Sequence, residues 1–111
     1  MEVTIKELRR CDVVRAKGRI DSSTVEKLTQ ALDAIKKEGR FKIVLNMGEV
    51  AYISSAGLSE LIDTQNTCKR WNRGELILAE VPPRIKEVLD MAGLTPLFSV
   101  YETESEAVGS F

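Results

Sequence analysis

The sequence predicts a single α/β domain with a mixed β-sheet and with helices packed mainly on one face of that sheet. From the second predicted strand onward, strands and helices alternate along the chain, which is typical of parallel crossover connections. The first two predicted strands, over residues 3–8 and 11–16, are close enough in sequence to form an antiparallel hairpin. A chain of 111 residues is long enough for one domain with one core, so we expect one domain over 1–111.

The first helix follows the second strand after Gly18, which we expect to interrupt the strand pattern. Apolar residues at positions 25, 28, 31, 32 and 35 have the spacing of one helix face. Ser23 and Glu26 stand in the relation of a capping box at its start. Gly39 is expected to end the helix in a left-handed conformation.

The second half of the chain repeats the alternation. Residues 41–47 form an apolar run typical of a buried strand, and residues 48–53 are expected to be a connecting segment. The next helix starts at residues 54–57 and ends at Arg73 and Gly74. We then expect a strand over 75–81, a helix opened by Pro82 and Pro83, a strand over 97–101 and a short helix from Thr103.

Composition excludes several classes of function. The chain has 16 Lys and Arg against 17 Asp and Glu, and this balance argues against nucleic-acid binding driven by charge. The absence of histidine removes His-based catalysis and His metal ligands, and no Walker A or GxGxxG motif is present. We therefore expect no enzyme activity, no cofactor and no metal.

The two cysteines, Cys11 and Cys68, lack the spacing of a metal or redox motif and suit a reducing compartment. Cys68 falls on the apolar face of its helix, where we expect it to be buried and inert. No apolar run approaches the length of a membrane span. Residues 1–5 lack the basic start and the apolar stretch of a signal peptide, so we expect none. We expect a cytoplasmic location without membrane insertion.

The segment from Ser54 to Leu58 allows two interpretations. Serine is a favoured N-cap, and on spacing alone capping is the simpler one. A phosphate on a serine at this position would also be stabilised by the helix N-terminus. The small Ala56 and Gly57 would let a partner approach the backbone.

Three motifs follow one another along the chain. The central one runs from Asn46 to Leu61 and contains Tyr52-Ile53-Ser54-Ser55-Ala56-Gly57-Leu58. Gly18-Arg19-Ile20-Asp21 stands before it, and Asp90-Met91-Ala92-Gly93-Leu94 stands after it. In this order the three resemble the motifs of the STAS family, the anti-sigma factor antagonists.

The resemblance implies a bacterial protein that binds an anti-sigma factor, itself a serine kinase, and so releases a sigma factor that acts on transcription. The kinase would phosphorylate the antagonist and weaken binding, and a phosphatase would reverse this. The family's acceptor position is occupied by Ser55, with Ser54 as the alternative acceptor. The implied partner-binding residues are Asp21, Ser22, Ser54, Ser55, Ala56, Gly57 and Leu58.

Three alternatives stay open at the level of sequence. Ser54 stands where the family usually has Asp, which favours an unswitched STAS scaffold in a stress-signalling or transport-associated complex as the second hypothesis. Asp21 is equally consistent with a helix N-cap and with a docking group. Trp71 is expected at the edge of the core, with an exposed anchor for a partner as the other interpretation.

Overall fold

Strands β1 to β5 form one mixed sheet in sequential order in the computed structural model, which describes residues 1–71 and 73–111. β1 pairs antiparallel with β2, and the pairs β2–β3, β3–β4 and β4–β5 are all parallel. The hairpin and the mixed sheet predicted from the sequence are therefore confirmed. The strands are β1 Glu2–Glu7, β2 Asp12–Ile20, β3 Lys42–Ile53, β4 Glu75–Ala79 and β5 Val100–Tyr101.

Each parallel connection contains a helix, as the alternating pattern requires. A short 3₁₀ helix, Thr95–Leu97, lies between the third helix and β5. Residue 72, which the sequence placed in the last turn of the second helix, lies outside the described residues. The helices are α1 Val25–Lys37, α2 Ser55–Arg70, α3 Pro83–Met91 and α4 Glu104–Gly109.

The two faces of the sheet are covered unequally. The larger apolar cluster includes Leu28 of α1, Leu61 of α2 and Leu89 of α3, so these three helices share one face. The smaller cluster places Ala107 of α4 against Val44 on the other face. Because three of the four helices in the described chain share a face, the prediction of helices mainly on one side is confirmed.

Two strand boundaries differ from the sequence prediction. β3 continues to Ile53, so the expectation of a connecting segment over 48–53 is wrong. β2 continues through Gly18 to Ile20, with Gly18 at φ +109° beside a shift in the β2–β3 register. Pairing of Ile20 with Ile53 extends both strands past residues that have little strand propensity of their own.

The last strand is also shorter than predicted. Residues 97–101 were expected to be extended, but only Val100–Tyr101 pairs with β4. Leu97 belongs to the 3₁₀ helix instead, and Pro96 at its centre has no amide hydrogen to donate to a strand partner.

The start of α1 corrects another prediction. Thr24 is the N-cap residue, and the Ser23–Glu26 capping box is wrong. The Ser23 hydroxyl instead donates to Asp21 Oδ1 at 2.7 Å. At the other end of the helix, Gly39 has φ +75° and its amide donates to Lys36 O, which confirms the predicted left-handed ending.

The two cysteines and the tryptophan occupy contrasting environments. Cys11 and Cys68 are free and buried, and burial raises the pKa of the Cys68 thiol to about 11. The expectation of a buried Cys68 is thus confirmed. The Trp71 side chain is 53% exposed, and its ring stacks on Phe41 with centroids 6.4 Å apart.

No helix in the described part of the chain is both long and apolar enough to cross a bilayer.

Candidate partner-binding site

The carboxyl ends of β2 and β3 lie side by side and bring two helix starts together. Ile20 and Ile53 are register partners, and the Ser54 amide donates to Ile20 O at 2.8 Å. Asp21 follows the first strand and Ser54 follows the second. The structure therefore places two motifs that are over 30 residues apart in sequence at one sheet edge.

The turn before α1 is held by side-chain hydrogen bonds. Asp21 Oδ1 accepts from the Ser23 amide at 3.0 Å and from the Ser23 hydroxyl at 2.7 Å. Thr24 Oγ1 donates to Arg19 O at 2.7 Å and accepts from the Asp21 amide at 2.9 Å. The two bonds from Ser23, led by the one from its hydroxyl, and a longer one from the Thr24 hydroxyl to Asp21 Oδ1 lower the pKa of the Asp21 carboxyl. Asp21 is thus a fixed negative charge at this edge near neutral pH.

The start of α2 has no such network. Ser54 is the N-cap residue, but its side chain makes no capping bond and its Oγ is buried without a partner among the described residues. Ser55 is the first helical residue and is exposed. The hydroxyl that solvent or another protein can reach is therefore that of Ser55, while that of Ser54 is enclosed.

Gly57 lies on the inner side of α2, where its missing side chain allows close packing. A Cβ atom at this position would come within 2.7 Å of Ile20 Cγ2 and of Ile53 Cγ1. Glycine therefore lets the first turn of α2 rest on the ends of β2 and β3. Gly57 is buried and faces the core, so it positions its neighbours.

The other residues named by the sequence motifs lie around this turn. Ser22 is exposed on the loop before α1, and Ala56 is partly buried. Leu58 is partly buried and packs against the larger apolar cluster. Among the predicted site residues, the accessible ones are therefore Ser22, Ser55, the partly exposed Asp21 and parts of Ala56 and Leu58.

Arg19 and Tyr52 complete this surface, and the sequence motifs did not identify them as site residues. They are register partners on β2 and β3, with the Arg19 guanidinium 4.3 Å from the centre of the Tyr52 ring. Arg19 Nε is also 3.8 Å from Asp21 Oδ2, and Tyr52 is 41% exposed. Both residues stand within the quoted motifs, two positions before Asp21 and Ser54, and that membership is the signal that the sequence offered.

Comparison with known proteins identifies the class to which this fold and site belong. A family model for the STAS domain matches residues 2–107, and the chain belongs to the STAS domain family.

Among the described residues there is no group of three acidic or cysteine side chains able to hold a metal ion.

Individual relatives agree with this assignment. The anti-sigma-B factor antagonist of Staphylococcus epidermidis is 32% identical over 94 residues, which cover 84% of this chain and 86% of the relative. The solved structure of the anti-sigma factor antagonist SpoIIAA in its unphosphorylated form has a TM-score of 0.83 at 22% identity, covering 98% of this chain and 95% of that one. The phosphorylated form of SpoIIAA, from Bacillus, has a TM-score of 0.77 at 22% identity, with 98% of each chain covered. The two structural matches establish a shared fold.

Proposed function

We propose that this chain is an anti-sigma factor antagonist, a cytoplasmic protein that binds an anti-sigma factor. Phosphorylation of Ser55 would lower its affinity for that partner. The relative from Staphylococcus epidermidis carries that function in its name. The partner would be an anti-sigma factor that is also a serine kinase, and a phosphatase would restore the unmodified form. The chain would act by binding and would perform no chemistry of its own.

The observation that carries the proposal is the exposed Ser55 hydroxyl at the head of a 16-residue helix, next to the strand end that presents Asp21. A phosphate here would lie against unpaired amides and the positive end of the helix dipole, so the fold would tolerate it. It would add about −1.5 to −2 charge units to a surface that already carries the Asp21 carboxylate. A partner that accepts this surface in its unmodified state would meet a much more negative one after modification.

Burial distinguishes between the two candidate acceptors. A kinase must reach the hydroxyl oxygen, and the Oγ atom of Ser54 is enclosed while Ser55 is exposed. Ser54 is therefore the weaker candidate as long as the first turn of α2 keeps this conformation. Its role would be to form the N-cap from which Ser55 projects.

Docking would use the exposed groups around the two helix starts. Asp21 would offer a charge held in place by the hydrogen bonds from Ser23, and Tyr52 would offer a half-exposed ring backed by Arg19. Tyrosine and arginine are enriched among the residues that contribute most of the binding energy at protein interfaces. Gly57 is left out of this contact surface because it is buried against Ile20 and Ile53.

The test is phosphorylation and binding with an anti-sigma factor kinase from the same organism. Incubation with ATP should modify Ser55, as mapped by mass spectrometry, and Ser55→Ala should abolish modification while keeping affinity. Ser59 is an exposed serine one turn further along α2 and supplies the matched control. Ser55→Asp should weaken binding at least tenfold, equivalent to about 1.4 kcal/mol, whereas Ser59→Asp should have a smaller effect.

The second hypothesis is an unswitched scaffold, which is favoured by Ser54 at the position where the family usually has Asp. A carboxylate next to the acceptor hydroxyl is absent there, and the Ser54 oxygen that replaces it has no hydrogen-bond partner in the described chain. Equal affinity of the wild type, Ser55→Ala and Ser55→Asp, with no modification by the kinase, would support the scaffold and contradict the switch.

A further inference from the structure

The end of the domain opposite the candidate site carries an excess of exposed positive charge. Strands β2, β3 and β4 begin at this end, and helices α1 and α2 end there. The β1–β2 turn lies at the same end. We call it the basic end, defined by seven exposed cations contributed by the β1–β2 turn, the end of α1, the start of β3, the end of α2 and the loop after α2. These cations are Arg9, Arg10, Lys37, Lys42, Lys69, Arg70 and Arg73.

These seven cations are not neutralised within the fold. Two other cations at this end are paired: Lys36 with Asp33 at 3.2 Å and Arg40 with Asp12 at 2.6 Å. None of the seven forms a salt bridge with any residue that the structure describes. Besides Asp33, three exposed carboxylates in the described chain share this end, at the last residue of β1, just after α1 and near the end of α3. They are Glu7, Glu38 and Asp90, and Glu75 at the start of β4 is partly exposed.

The same end also exposes large apolar side chains. Trp71 is 53% exposed, Met91 at the end of α3 is 88% exposed, and Leu97 in the 3₁₀ helix is 43% exposed. Five large hydrophobic side chains are exposed in the described chain, and these three are among them. Cations combined with an interfacial tryptophan and other apolar groups form the pattern of a surface that rests on a membrane.

We propose that the basic end binds the surface of a lipid bilayer that carries anionic headgroups. Lys and Arg near such a surface are attracted to it, while Trp71, Met91 and Leu97 supply apolar groups for the headgroup region. The seven cations come from several separate segments of the chain that meet at one end of the domain, which suits a planar partner. The binding does not depend on the function proposed above.

Charge distribution favours a planar lipid surface over a long polyanion. The whole chain has a net charge of −1, so the part of the domain away from the basic end is acidic. A nucleic-acid strand extending past the basic end would meet this acidic part, whereas a flat bilayer contacts one end only. Even the shortest extent of the domain, 22 Å, is more than two Debye lengths at physiological ionic strength, so the far end is screened from the bilayer.

This orientation would leave the candidate partner-binding site directed away from the lipid. The site lies where β2 and β3 finish, and the basic end lies where they begin. A molecule held at the bilayer in this way could still bind a protein through Ser55 and its neighbours.

The test uses the intact chain and its single tryptophan as a local reporter. Vesicles of phosphatidylcholine mixed with phosphatidylserine should sediment the protein and shift the Trp71 emission to shorter wavelength. Vesicles of phosphatidylcholine alone should do neither, and raising the salt concentration should release the protein. Absence of binding to the anionic vesicles, or equal binding to the neutral ones, would overturn the proposal.

Paired variants locate the contact. Lys69→Gln combined with Arg70→Gln should reduce vesicle partitioning by about fivefold for each charge removed. Arg84→Gln combined with Lys86→Gln removes two exposed cations from the first turn of α3, at the opposite end, and should leave partitioning within about twofold of the wild type. Equal loss in both pairs would contradict a contact at the basic end. Binding of a single-stranded oligonucleotide without binding of the anionic vesicles would assign the surface to nucleic acid and overturn the lipid proposal.

Discussion

Helices α1 and α2 begin side by side at one sheet edge, yet their first turns are built in opposite ways. The turn before α1 is closed by hydrogen bonds among Asp21, Ser23 and Thr24. The start of α2 has a serine N-cap without a capping bond and relies on close packing at Gly57. One start is therefore held by polar contacts at the surface and the other by apolar contacts beneath it. This leaves the outer surface of α2 free for another molecule.

The largest effect should follow from disturbing the packing beneath α2. Gly57→Ala adds a Cβ atom that would lie 2.7 Å from Ile20 and Ile53 side-chain atoms, and we expect it to lower the free energy of unfolding by about 1–3 kcal/mol. Urea denaturation measures the change. Gly109→Ala is the control, because a Cβ there meets no atom within 4 Å, and it should be neutral or stabilising. A loss at Gly57 no larger than at Gly109 would contradict the packing argument.

A smaller loss should follow from opening the turn before α1. Thr24→Ala removes the hydroxyl that bonds Arg19 O and the Asp21 amide, and we expect a loss of about 1–2 kcal/mol in the free energy of unfolding. Thr67→Ala, which removes a hydroxyl bonded to Asp63 O within α2, should have a smaller effect. Equal effects of the two substitutions would show that the hydrogen bonds of Thr24 add no more stability than an ordinary bond within a helix.

The matching substitution at the start of α2 should not lower the free energy of unfolding. Ser54→Ala removes a buried oxygen that has no hydrogen-bond partner among the described residues, so no capping bond is lost. We expect the free energy of unfolding to stay unchanged or to rise by up to about 1 kcal/mol. The same urea titration measures it, and a loss as large as that of Thr24→Ala would disprove the contrast between the two starts.

The smallest effect concerns the charge of Asp21 and its dependence on pH. Hydrogen bonds from Ser23 lower the carboxyl pKa in the folded state, so the ionised group stabilises the fold above its unfolded pKa of about 3.9. This contribution is lost as the pH falls through the lower folded pKa. The stability difference between wild type and Asp21→Asn should therefore be largest near neutral pH and shrink in acid.

An NMR titration of the Asp21 carboxyl provides the direct measurement. Ser23→Ala removes the hydroxyl that makes the largest contribution to the lowered pKa, so the pKa should move back toward its ordinary value. An unchanged midpoint in Ser23→Ala would show that another contact holds the charge.

Much of the fold could be predicted because local patterns and tertiary structure agree. The apolar spacing of α1 and the buried runs in β3 and β4 predicted elements that the structure contains. The errors lie where a neighbouring strand decides the outcome. Residues 48–53 resemble a loop in composition, and they are extended because β2 pairs alongside them as far as Ile20.

The sequence predicted which residues lie at the candidate site, but not which of their side chains are exposed. The motifs brought Asp21, Ser54 and Ser55 to attention, yet the sequence alone did not show which serine hydroxyl is enclosed. That depends on how Gly57 sets α2 against the ends of β2 and β3. The capping box at Ser23 is wrong because the helix begins one residue later than the pattern indicates: Thr24 is the N-cap, and Ser23 belongs to the turn before it.

The enclosed thiols of Cys11 and Cys68 make this protein suited to selective chemical labelling. Burial raises the pKa of both groups, so at neutral pH neither supplies an accessible thiolate to a maleimide dye. A cysteine introduced by Ser59→Cys, on the exposed surface of α2, would be the reactive one, and the native pair would need no replacement. Fluorescence from that position would then report each arrival and departure of a binding partner in real time.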